Sequence, residues 1–189
     1  MINSNYKQCF ELVKSDYFRY RGKDSSWLLI ILYACWNHSF AYSVWLRFSS
    51  KTGWLYPLSC FMLNRLSRKY GLQIPRNTQI GYGLYIGHGI GIVINPTTII
   101  GNNCNLSQFT TIGSNHGKAA IIGDNVYIGP SVCIVENVII GNNVTIGAGA
   151  VVVKDVPDNA TVAGCPARVV SYKTPGRYIH NRYIIEKGR

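Results

Sequence analysis

From residue 80 to residue 152 an aliphatic residue followed by glycine returns at intervals built on six positions. The pairs are Ile80-Gly81, Ile86-Gly87, Ile100-Gly101, Ile112-Gly113, Ile122-Gly123, Ile128-Gly129, Ile140-Gly141 and Ile146-Gly147. A period of six matches neither the amphipathic helix nor the alternating strand. It predicts a parallel β-helix in which each hexad is one short strand plus a corner. Three hexads then close a triangular coil, so residues about 18 apart stack and coils rise by about 4.8 Å. The aliphatic residues and the small ones four places later (Cys104, Val126, Val132, Val138, Val144, Ala150) fill the interior. Gly101-Asn102-Asn103, Gly123-Asp124-Asn125 and Gly141-Asn142-Asn143 supply corners, because Gly, Asn and Asp tolerate positive φ.

The repeat breaks twice. Ile86 and Ile94 are eight apart, leaving two extra residues within 87–93. Ile112 and Ile122 are ten apart, leaving four extra within 113–121. By the stacking rule Ile94 and Ile112 share one corner, where one excursion ends and the other begins. Each excursion carries a histidine, His88 and His116, and the two are expected to converge there.

Before the repeat, residues 1–72 read as helical and irregular. Trp27, Ile30, Ile31, Ala34 and Cys35 form one helical face. Ala41, Trp45 and Phe48 continue a second stripe after the polar break at 37–39. Pro57 opens a third helix that runs to about Tyr70, with Arg65, Arg68 and Lys69 near its end and Gly71 as its stop. The expected domains are a helical region at 1–72, a β-helix at 73–170 and a basic tail at 171–189. Residues 27–48 would span a bilayer only by burying Asn37, His38 and Arg47. A buried helix pair is expected instead, with peripheral attachment to a membrane surface left open. Residues 1–24 are polar and charged and show no secretory signal.

Charge changes the picture. Nineteen Lys and Arg against eight Asp and Glu give a formal charge of +11, which points to an anionic partner. No nucleic-acid motif accompanies it, so a phosphorylated small molecule or a membrane surface is preferred. Six scattered cysteines without a CxxC pair suit a reducing cytoplasm, the expected location, with the inner membrane face open.

Imidazole titrates near pH ~6.5 and so serves as base and acid at neutral pH. Two of the four histidines lie in the excursions. A catalytic zinc would want three protein ligands, and neither loop offers an acidic partner, so no metal is expected.

Three segments carry a resemblance: 84–95 (LYIGHGIGIVIN), 110–113 (TTIG) and 159–170 (NATVAGCPARVV). With them the chain resembles the hexapeptide-repeat acyltransferases, strongly over 74–172. The branch it resembles is the serine acetyltransferase-like one, which includes exopolysaccharide and capsule O-acetyltransferases. Residues 27–72, through Asn37-His38-Ser39-Phe40 and Trp45-Leu46-Arg47, resemble the helical lead-in of that branch more loosely. The resemblance implies a left-handed parallel β-helix, acetyl-CoA as donor and a homotrimer with sites between neighbouring chains. It implies that His88 is the general base of a direct transfer, with His116 in a supporting role. Backbone N–H groups near Gly89 or Gly113 would hold the oxyanion. It implies that Pro130, Ala148, Val153, Lys154 and Arg168 line the coenzyme path, the last two meeting phosphates.

Two departures from the serine enzymes bear on the acceptor. Gly87 and Gln73 stand where that branch has aspartates, one meeting the amino acid and one pairing with the histidine. The Gln73 carbonyl is left to orient His88. A serine ammonium wants a carboxylate, whereas a sugar hydroxyl does not. The expected acceptor is therefore a sugar or glycan precursor of surface polysaccharide, with free serine as the alternative. The basic tail, through Lys173, Arg177, Arg182, Lys187 and Arg189, has several possible uses: phosphate binding, packing on a neighbour, contact with a membrane, or plain solvation. A non-catalytic trimeric scaffold or membrane-surface module, and a zinc enzyme on the same fold, are the competing classes.

Overall fold

The computed structural model describes residues 4–184. Four helices come first: α1 (Ser4–Arg21), α2 (Trp27–Trp36), α3 (His38–Ser49) and α4 (Tyr56–Tyr70). Four coils follow. The first holds β1 (Gln79–Ile80), β2 (Tyr85–Gly87) and β3 (Val93–Ile94). The second holds β4 (Ile99–Ile100), β5 (Asn105–Ser107) and β6 (Thr111–Gly113). The third holds β7 (Ile121–Ile122), β8 (Tyr127–Ile128) and β9 (Cys133–Val135). The fourth holds β10 (Ile139–Ile140), β11 (Thr145–Ile146) and β12 (Val151–Val152). Then β13 (Thr161–Ala163) adds below β11 in parallel, and β14 (Arg168–Ser171) turns back antiparallel against β13.

Three parallel sheets result, one per side of a triangular prism. Face I is β1-β4-β7-β10, face II is β2-β5-β8-β11-β13-β14, and face III is β3-β6-β9-β12. Ile94 pairs with Ile112, as the hexad count requires. Coils three and four stack at 18 residues, with Ile122 over Ile140 and Ile128 over Ile146. The interior is the expected column: Cys104, Val126, Val132, Val144 and Ala150 are all fully buried. Burial raises the Cys104 thiol to about 12, so it behaves as a small apolar side chain.

The corners between faces I and II form a ladder. Asn103, Asn125, Asn143 and Asn159 all take left-handed φ between 55° and 64°. The Asn125 amide donates to Asn143, and that of Asn143 to Asn159, each at 3.1 Å. Stacked side-chain amides thus hydrogen-bond along the axis, although the Asn125 side-chain oxygen at the top of the run has no partner, because the Asn103 amide donates to Tyr183 instead.

A solenoid end presents unpaired N–H and C=O groups. Here side chains from α1 and α3 close it. Asp16 binds Arg47 through both oxygens at 2.9 Å and accepts from the Leu84 N–H at 2.7 Å. Arg47 also donates to the carbonyls of Ile80 and Gly81, and Arg19 to that of Gly83. Ser15 accepts from the Gly83 N–H.

Three expectations change. Residues 4–21 form a full helix, α1, which hydropathy does not signal. Its buried stripe runs Tyr6, Cys9, Val13, Asp16 and Tyr17 and is only partly apolar. Second, α2 is not half of a buried pair: among its residues only Ile30 is buried, while Leu28, Leu29, Ile31, Leu32 and Trp36 are exposed. Third, the tail lies on its own chain. It straps face II through Gly176 to Asn143, Arg177 to Thr145, Tyr178 to Asn105 and Tyr183 to Asn103, reaching α1 where Arg19 meets the His180 carbonyl. Lys187 and Arg189 lie outside the described residues.

Candidate active site

The first excursion joins β2 to β3, so it sits at the corner between faces II and III. His88 occupies it with φ 49°, an uncommon left-handed conformation for a residue with a side chain. The ring is exposed, and among the described residues nothing hydrogen-bonds it. The loop around it is held from both sides. The Gly89 N–H donates to Ser39 Oγ at 2.9 Å, and the Gly91 N–H to the Tyr70 carbonyl at 2.9 Å. A Cβ on Gly89 would stand 2.9 Å from Ser39 Oγ, so only glycine lets α3 approach this closely. Behind Ser39, the His38 ring stacks on Tyr70 with centroids 4.2 Å apart.

Below His88 the same corner repeats in each coil. Gly91, Phe109, Ser131 and Gly149 all take left-handed φ, from 57° to 69°. Their N–H groups donate in turn to Tyr70, Ile90, Gln108 and Pro130, making one ladder down the corner. Pro130 and Ala148 immediately precede the last two members. Phe109 is 55% exposed and its ring covers Gly91. His88, Phe109, Pro130 and Ala148 therefore follow one edge of the prism.

The second excursion joins β6 to β7, at the corner between faces III and I. The expected convergence of the two histidines fails here. One excursion enters face III before β3 and the other leaves it after β6, so face III separates His88 from His116 within a chain. His116 is exposed, and its N–H donates to Ser114 Oγ at 3.2 Å. Ser114 Oγ donates to Glu136 at 2.8 Å, and the Asn115 N–H reaches the same carboxylate at 3.3 Å. The hydroxyl of Ser114 first, then the Asn115 amide and the nearby His116, hold Glu136 below the usual carboxylate range. Val153 and Lys154 lie on this corner too, two coils below His116, and both are exposed. Arg168 opens β14 and donates to the Ala167 carbonyl, and the Ala167 N–H in turn donates to the Val151 carbonyl, three residues before Lys154.

One further expectation is corrected. The Gly89 N–H is taken by Ser39 and does not point into free space. The Gln73 main-chain carbonyl accepts from the Ile94 N–H. Gly113 lies in β6 opposite Val135, with open space where its side chain would be.

Three residues at these corners escape sequence reasoning. Ser39 stood within the segment 37–40, but nothing in the chain tied it to position 89. Phe109 is a lone aromatic at a corner position. Glu136 is the acidic residue nearest the second excursion in space, and the stacking of β9 under β6 puts it there.

Carboxylates are scarce around His88. The chain contains no Asp or Glu between Asp24 and Asp124. Asp16 is committed to Arg47, and Asp124 and Asp158 serve the face I/II corner ladder.

Residues 119–154 match the bacterial transferase hexapeptide family (six repeats). The serine acetyltransferase of Staphylococcus epidermidis is 37% identical over 153 residues, covering 78% of this chain and 68% of that protein. That of Synechococcus elongatus is 38% identical over 126 residues, 62% of this chain and 52% of the relative. Mitochondrial serine acetyltransferase 3 of Arabidopsis thaliana is 36% identical over 147 residues, 74% of this chain. The chain spans only 35% of that plant protein and about half of the cyanobacterial one. Among solved structures, Neisseria gonorrhoeae serine acetyltransferase in complex with serine superposes with TM-score 0.74 at 32% identity, over 87% of this chain and 70% of that one. A serine acetyltransferase in complex with CoA gives TM-score 0.70 at 25% identity, over 88% and 72%. The capsule O-acetyltransferase branch is not singled out by these likenesses. The chain belongs to the hexapeptide-repeat acyltransferase family, with serine acetyltransferases as its relatives.

Proposed function

We propose that the protein is an acetyl-CoA-dependent O-acetyltransferase with His88 as its general base. The observation that carries this is the exposed, unpartnered His88 ring in a left-handed turn at the head of the edge that leads past Phe109, Pro130 and Ala148. Imidazole takes the proton of the acceptor hydroxyl as its oxygen attacks the thioester carbonyl carbon. The C–S bond of the tetrahedral adduct then breaks, and the imidazolium returns the proton to the CoA thiolate. No acyl-enzyme forms. Acid–base help of this kind is worth about 10²–10⁴-fold.

The separation of the two corners supports a site shared between copies. If three chains turn face III toward a common axis, the II/III corner of one abuts the III/I corner of the next. His88, Pro130 and Ala148 of one copy then meet His116, Val153 and Lys154 of its neighbour. Lys154 supplies a cation for coenzyme phosphate, and Pro130 and Ala148 leave the edge shallow enough for a pantetheine arm.

The acceptor reading shifts with the comparisons. The relatives named above are serine acetyltransferases, and one of the solved structures holds serine. They favour L-serine over the glycan expected from the sequence. A neutral hydroxyl acceptor remains as second reading because of one observation: among the described residues no carboxylate adjoins His88, with Gly87 directly before it. Thiol release from acetyl-CoA, measured with L-serine and separately with neutral sugars, tests both. Robust turnover with L-serine supports the first reading. Turnover only with a sugar supports the second. No acceptor-stimulated release with either removes the proposal.

A further inference from the structure

We infer that the face made by α2 and α4 is a docking surface for an anionic lipid bilayer. Every residue of α2 except Tyr33 is apolar by type, counting its two tryptophans and Cys35, yet only Ile30 is buried. Leu28 is 67%, Ile31 58% and Trp36 90% exposed. Across the way α4 exposes Leu58 and Phe61, the latter at 63%, and Trp54 just before it is 77% exposed. Between the two helices runs an apolar groove of about 610 Å³ floored by α3, lined among others by Ile31, Trp45, Met62 and Leu66. A contiguous apolar surface of this extent marks an interaction site.

The charges choose the occupant. Residues 25–72 contain no Asp or Glu but include Arg65, Arg68 and Lys69, all exposed on α4. Lys14 lies over the Trp27 ring at 5.5 Å and Arg21 over Tyr33 at 5.6 Å, so cations also flank α2 from α1. Apolar side chains with tryptophans, flanked by cations and with no carboxylate on α2, α3 or α4, fit a negatively charged headgroup layer. No helix among the described residues is long and apolar enough to cross a membrane, so the face lies on the surface and not through it. α4 and the groove floor α3 adjoin the His88 loop through Tyr70–Gly91 and Ser39–Gly89, which places that corner close to the bound membrane. This inference does not depend on the acyl-transfer reading.

Flotation of the full-length chain tests it, using phosphatidylcholine vesicles with about one third phosphatidylglycerol against phosphatidylcholine alone. The protein is expected to float with the anionic vesicles, and added salt should release much of it. Two separate variants, L32S/W36S on α2 and L58S/F61S on α4, should each lower the partition coefficient by at least about tenfold. Removing Arg65, Arg68 and Lys69 together should lower it about tenfold or more for anionic vesicles and little for neutral ones. Melting temperatures close to the parent's establish that the variants fold, as the substituted side chains are exposed. Failure of the unmodified protein to float with anionic vesicles overturns the inference. So does unchanged flotation of both apolar variants. A fall in solution mass of those variants with flotation intact assigns the face to a second copy instead.

Discussion

The Tyr20 hydroxyl donates to the Ile86 carbonyl at 2.9 Å and accepts from the Ile86 N–H at 3.0 Å. One side chain thus closes both open groups at the edge of β2, two residues before His88. Burial keeps the phenol protonated by pushing its pKa well above the ordinary value. Replacing Tyr20 by Phe leaves an N–H and a C=O at that edge without partners. A loss of about 1–3 kcal/mol of folding stability is expected in urea titrations, with a fall in turnover as the His88 loop loosens. Unchanged stability would mean that water substitutes fully for the hydroxyl.

The Asp16–Arg47 pair is buried, with both side chains 5% exposed or less. Cutting it on one side leaves a charge without a partner inside the protein. Asp16→Ala should cost about 3–5 kcal/mol, and the paired change D16L/R47M markedly less. Urea unfolding of the three proteins gives the comparison. Equal losses for the single and paired variants would contradict this, and would mean that orphaning the carbonyls of Ile80 and Gly81 costs as much as the unpaired charge.

How far the chain could be read in advance depends on the kind of feature. The hexads fixed the stacking of Ile94 on Ile112, because only inward aliphatic residues at one position per hexad keep the column dry. The same count cannot say from which end of a strand an insertion grows, and for that reason it puts His88 and His116 at one corner when they occupy two. Hydropathy failed on both outer helices, in opposite ways. In α1 the buried stripe mixes Tyr6, Cys9 and Asp16, whose polar atoms meet the Leu55 N–H, the Arg47 carbonyl and the Leu84 N–H in turn. In α2 the apolar side chains face outward. For the tail, charge alone leaves phosphate, a neighbour, a membrane and solvent all open, whereas Gly176, Tyr178 and Tyr183 tie it to asparagine side chains and carbonyls that the repeat leaves on face II.

Glu136 latches the second excursion through Ser114 and Asn115, and these contacts lower its pKa. A carboxylate with a depressed folded pKa contributes above its ordinary value near ~4.3 and loses that contribution as pH falls through the lower folded value. The Asn115 amide resonance is therefore expected to titrate with a midpoint below about 4.3. A midpoint at or above that value would show that the latch does not favour the ionised form. Glu136→Gln should remove the transition altogether.

A site shared by neighbouring copies predicts complementation. His88→Ala and His116→Ala proteins, each impaired alone, are refolded together in equal amounts. Random assembly of a ring then restores about a quarter of the sites, since one junction in four pairs an intact His88 with an intact His116. Acetyl transfer in the mixture well above that of either parent is the expected result. No recovery would place both histidines' work within single chains.

The central claim is that the His88 imidazole moves the proton during acetyl transfer. The most direct measurement is steady-state thiol release from acetyl-CoA, with an acceptor turned over by the unmodified protein, compared with His88→Ala. The account predicts a fall in kcat of about 10²–10⁴-fold, with CoA binding and melting temperature essentially retained. Turnover by the His88→Ala protein at close to the parent rate would contradict it.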